Sequence, residues 1–214
     1  MQNFIIILTI IFAGLLIPAN AQSKFETEME KALTEFSEAK TSNELEKAAQ
    51  HFDQIAKMET ENWLPVYYAI FIRAVDAFSQ NKNAAIKKVD ELEDLYVNLE
   101  AMEDVDKSEL LALRGLFRTV KVAKDPKIYG MSLSGAIIKD YDDALKLNPN
   151  NPRAMYLQAQ FNMEGAPFWG KDPKEYCPPI ENAKTLLVAE SNETLEPHWG
   201  EDQVDEILNS TCKK

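Results

Sequence analysis

The chain has 214 residues and sets 35 acidic against 23 basic side chains, a net charge of -12 that argues against nucleic acid or an anionic membrane as the main partner. Two histidines and two cysteines leave little material for metal or thiol chemistry. No His-Glu-x-x-His or paired Cys-x-x-Cys spacing, serine elbow or glycine-rich phosphate loop occurs, so catalytic residues, metal ligands and cofactors are all assigned to none.

The first element is MQNFIIILTIIFAGLLIPANA, apolar from Phe4 to Ile17 except for Thr9 and Gly14, then Pro18 and the small-x-small ending Ala19-Asn20-Ala21. It reads as a secretory signal peptide (1–21) cut after Ala21, although no Lys or Arg precedes the apolar run. That run falls short of the ~20 residues needed to span a bilayer, so no stable membrane anchor is expected. The mature chain, 22–214, is expected to be a single helical domain in the periplasm or secreted. Its interspersed charges read as solvated helix faces, and the acidic balance suits a cationic partner.

From Lys24 onward apolar residues recur at three- and four-residue spacing with no sustained alternation, which predicts an all-α chain. The predicted helices are 25–39, 44–58, 63–79, 84–102, 107–123, 134–147, 152–163, 178–190 and 201–210. Thr41 with Glu44 and Asp106 with Glu109 have capping-box spacing, Asn62 and Asn83 are further candidate caps, and Pro65 and Pro152 suit first turns. Most joints are short, predicting antiparallel hairpins; two are longer, 124–133 and 164–178.

Within NPNNP, Pro149 follows Ala144 by five residues, Tyr141 by eight and Ile137 by twelve. This spacing resembles the second helix of a tetratricopeptide repeat, and Ala48, Phe52 and Ile55 repeat it with Thr60 in place of the proline. Ala85, Val89 and Leu92 form a weaker copy, while Ala69, Gly115 and Ala159 match the small residue of first helices. The resemblance implies about four stacked hairpins and a C-terminal capping helix, arranged as a degenerate right-handed solenoid. Further on, Phe168, Gly170, Lys171, Pro197, Trp199 and Gly200 resemble the closing segment of short exported tetratricopeptide-like proteins of Gram-negative bacteria. That likeness implies fold and compartment, not an activity.

Carried over from the repeat family, the concave surface would present Trp63, Val66, Ile70 and Arg73, then Ala112, Leu116 and Thr119, then Arg153, Tyr156, Gln160 and Met163, with about half of these in the core instead. Such a mixture suits a protein or peptide segment, and the first expectation is a non-enzymatic adaptor or scaffold. The alternative is a small-ligand binder or weak hydrolase centred on loop 164–178 with Phe168, Trp169 and Trp199. In that loop the aromatic rings either stack on a ligand or plug the end of the helical stack. Cys177 and Cys212 either form a disulfide, which export permits, or join His198 as three zinc ligands.

Overall fold

A computed structural model of the protein describes residues 23–190 and 194–213, so the expected signal peptide and its cut after Ala21 lie outside the described residues. Among the described residues there are nine α-helices and no strand: α1 (Lys24–Glu38), α2 (Ser42–Met58), α3 (Leu64–Ser79), α4 (Lys82–Glu100), α5 (Lys107–Lys124), α6 (Pro126–Leu147), α7 (Pro152–Gly165), α8 (Cys177–Ala189) and α9 (Glu201–Ser210). Two short 3-10 turns, Ala166–Trp169 and Pro173–Tyr176, join α7 to α8.

Local chemistry sets most helix starts. Thr41 and Glu44 form the predicted capping box of α2, and Ser23 with Glu26 forms another on α1. Asp106 accepts from the Ser108 and Glu109 amides, but Glu109 does not reach back; its carboxylate turns into the core. Helix α4 is capped by Asn81, two residues before the expected Asn83. The largest departure is α6. The expected joint 124–133 is helical from Pro126 onward, because Asp125 accepts from the Ile128 amide and Pro126 sits where a missing N–H costs nothing. Similarly, Pro178 and Pro179 lie in the first turn of α8 and do not break it.

Each helix packs on its successor, and α3 also meets α5, as α5 meets α7. A continuous core runs from Met29 on α1 to Ile207 on α9. Fully buried rings such as Phe52 and Phe117 each contribute about 1.5–3 kcal/mol relative to exposure. Gly115 admits the Tyr141 ring, which occupies the space a Cβ would need. Ala112, Ala144 and Ala154 bring α5, α6 and α7 together beside it. Cys177 and Cys212 are disulfide-bonded with 5.7 Å between their Cα atoms, tying the start of α8 to the segment after α9. That bond removes both thiols from the zinc alternative.

Candidate functional site

Two clefts flank the middle of the bundle, and they differ in what fills them. Of the expected concave face, Trp63 and Arg153 line the first. Here the Pro197-His198-Trp199-Gly200 segment lies against α3 and α7. The Trp199 indole stacks on Phe71 at a ring separation of 4.1 Å, meets the Tyr156 ring edge-on, and donates through Nε1 to the Tyr67 hydroxyl at 3.1 Å. The Tyr68 hydroxyl donates to the Leu195 and Glu196 carbonyls, both at 3.1 Å. Gly200 allows this approach, with φ at 114° and a Cβ position only 2.7 Å from Tyr156.

Beneath Trp199 lies a buried ionic network. Arg153 Nε donates to both Glu109 oxygens at 2.9 Å, and its terminal nitrogens donate to Glu190 at 2.9 and 2.6 Å. Glu109 also accepts from Asn151 and from the Tyr67 hydroxyl. Burial pushes the Glu109 carboxyl up against the pull of Arg153. Burial also opposes the charge on Arg153, yet Glu109 and Glu190 outweigh it and hold the guanidinium protonated. The remaining space is a cleft of about 540 Å³ with Asp104, Asp106 and Glu196 among its lining, and its Arg153 is already paired.

The expected concave residues therefore do not share one open face. Ile70, Ala112, Tyr156 and Met163 are buried in helix packing, as are Trp63 and Leu116. Arg73 is turned into its own hairpin, paired with Glu46 and Asp53 of α2. Val66 is half-buried against the core, and Gln160 donates to Glu164 one turn along α7. Thr119 faces the second cleft. His51 lies between Glu28 and Glu35, clasping α2 to α1, and His198 bonds the carbonyl of Glu196.

The second cleft, about 620 Å³, is predominantly apolar and opens between α5, α6 and the end of α7. Helix α5 supplies Thr119, Val122 and Ala123. One ridge of α6 supplies Pro126, Gly130, Ser134 and Ile138, with Met131 beside it. The opposite side is Phe161 and Gly165 of α7, then Phe168 and Trp169 of the first 3-10 turn and Tyr176 of the second. Large apolar side chains at its mouth stand in solvent: Met131 is 99 % exposed, Phe168 82 % and Trp169 79 %. Gly170, with φ at 66°, ends the turn that carries both rings. Phe168 and Trp169 therefore do not plug the stack; Trp199 packs into it instead.

Sequence reasoning found the aromatic loop but missed the facing wall, since Gly130, Met131 and Ser134 fall inside or beside the stretch read as a joint. The Asp125-Pro126 pair was the available signal, an N-cap followed by a proline suited to N1.

No protein-family model and no curated protein sequence matches the chain. A solved structure does: the HusA haemophore from Porphyromonas gingivalis, with a TM-score of 0.77 and 25% sequence identity, covering 91% of this chain and 96% of that one. The likeness thus extends over nearly the whole chain.

Proposed function

We propose that this chain is an exported ligand-binding protein that holds a planar, largely apolar molecule of the porphyrin class in the α5–α6–α7 cleft. The observation that carries this reading is the exposure of Met131, Phe168 and Trp169 around one apolar cleft, since such side chains gain most from burial against a ligand. The likeness to a haemophore supports the choice of ligand. This reading takes up the small-ligand alternative centred on loop 164–178, and it assigns the chain binding without a catalytic step. The adaptor reading loses its surface where Trp199 covers the α3–α7 face. The disulfide supports an oxidising compartment, and no helix among the described residues is long and apolar enough to cross a membrane.

A degenerate tetratricopeptide-like stack of four hairpins with α9 as cap is the architecture we infer. It is supported by the α3–α5–α7 contacts and by Gly115, matched to the small residue of first helices, where the missing side chain lets α6 bring Tyr141 close.

Because no histidine lines the cleft, haem and metal-free protoporphyrin should both bind it, with affinity drawn mainly from apolar burial. Titrating either into residues 22–214 should quench tryptophan emission saturably, and Trp169→Ala should abolish most of that response. Absence of saturable quenching by both porphyrins would refute the proposal.

A further inference from the structure

Helix α6 carries two interior glycines, Gly130 and Gly135, in a position where glycine costs about 1 kcal/mol relative to alanine. Elsewhere in the fold the cost has a visible reason: a Cβ at Gly115 would collide with Tyr141, and one at Gly200 with Tyr156. At Gly130 and Gly135 a Cβ would meet nothing within 4 Å. Packing within the chain therefore explains neither, and neither has the positive φ that would require glycine. The two differ in what they face. Gly130 lines the apolar cleft, whereas Gly135 is exposed and is not part of its lining.

We propose that Gly130 is a specificity-determining residue of the cleft: its missing side chain leaves a strip of bare helix backbone against which a flat ligand face lies, opposite Phe168 and Trp169. This deepens, and rests on, the porphyrin-class reading above. Three features converge on it. Gly130, Ser134 and Ile138 recur every four residues along one ridge, so the strip runs along the cleft and does not cross it. The Ser134 hydroxyl donates to the Gly130 carbonyl at 2.5 Å, which satisfies that polar pair inside the helix. On the far side, Gly165 at the end of α7 keeps the wall beneath Trp169 low, with the Trp169 Nε1 as the nearest atom to its Cβ position at 3.9 Å. The result is a slot between a flat helix surface and two exposed rings. It suits a rigid planar molecule better than a flexible acyl chain, which gains nothing from flatness.

The test compares Gly130→Leu with Gly135→Leu, the second placing the same bulk on the same helix away from the cleft. Neither Cβ has a neighbour to strike, so both variants should fold, which circular dichroism would verify. Protoporphyrin, oleate and a fluorescent anilinonaphthalene sulfonate dye are titrated into each. Gly130→Leu is expected to weaken protoporphyrin binding about tenfold or more through overpacking of the slot, with Gly135→Leu within about twofold of the parent. Oleate should bind the parent more weakly than protoporphyrin and lose less in Gly130→Leu. Equal protoporphyrin binding by the two variants would overturn the role of Gly130. If the parent takes the dye in the cleft but no porphyrin, the functional reading fails, and the dye ratio between the variants decides the claim about Gly130. If the parent binds none of the three probes, both fall.

Discussion

Two Trp-Gly pairs in this chain, Trp169-Gly170 and Trp199-Gly200, have similar local chemistry and opposite fates. Both glycines adopt positive φ beside a tryptophan, Gly170 ending the first 3-10 turn and Gly200 standing at the start of α9. Trp199 is stacked on Phe71, hydrogen-bonded to Tyr67 and placed over Arg153, whereas Trp169 stands 79 % exposed at the edge of an apolar cleft. The difference comes from what each segment meets. Residues 195–200 find a waiting ring of α3 and a buried ionic network, while residues 166–169 border an open, largely apolar cleft. The Trp199 indole N–H is satisfied inside the fold, whereas the Trp169 ring stands in solvent, available to a ligand.

That contrast can be broken first at Trp199. Trp199→Ala should cost about 3–5 kcal/mol, read as a lower chemical-denaturation midpoint, while Trp169→Ala stays within about 0.5 kcal/mol of the parent and loses ligand binding instead. An effect of similar size is expected for Arg153→Met, about 3–5 kcal/mol, because it strands the buried Glu109 carboxylate. This differs from the expectation for an exposed groove arginine, whose replacement would leave stability unchanged.

Opening the Cys177–Cys212 bond, by reduction or by paired serines, should cost about 3–4 kcal/mol by loop-closure entropy. It should also weaken porphyrin binding, because Tyr176 of the cleft wall adjoins Cys177. Gly135→Ala should stabilise the fold by up to about 1 kcal/mol without altering binding.

The smallest effect concerns pH. Burial pushes the Glu46 carboxyl up, but Arg73 and Lys88 outweigh it and hold the group below the usual carboxylate range. A depressed folded pKa contributes stability above the unfolded value, and that contribution fades as pH falls through the folded one. Arg73→Met should therefore flatten the acid limb of a stability-versus-pH curve below about pH 4.5.

Much of the architecture was readable from local signals. Thr41-x-x-Glu44 and the Asn151-Pro152 start are decided by backbone donors within a few residues, and the pairing of two cysteines had a single solution. The misreadings have a common physical origin. Glu109 has capping-box spacing, but a buried Arg153 competes for its carboxylate with charge-assisted bonds that outweigh a surface cap. Pro126 and Gly130 within 124–133 suggest a loop, although α5 and α6 pack along each other and hold that segment helical. The concave face was carried over from the repeat resemblance, which assigns residues to first helices but does not reveal that residues 195–200 return across α3.

In the function proposed above, ligand enters beside Trp169 and not beside Trp199. The chain has three tryptophans, Trp63, Trp169 and Trp199, so its indole N–H signals in a heteronuclear NMR spectrum can be assigned by single substitutions. On adding metal-free protoporphyrin to residues 22–214, the account predicts that the Trp169 indole signal shifts and saturates while those of Trp63 and Trp199 stay in place. Movement of Trp63 and Trp199 with Trp169 unchanged would contradict it and relocate the site to the acid-lined cleft.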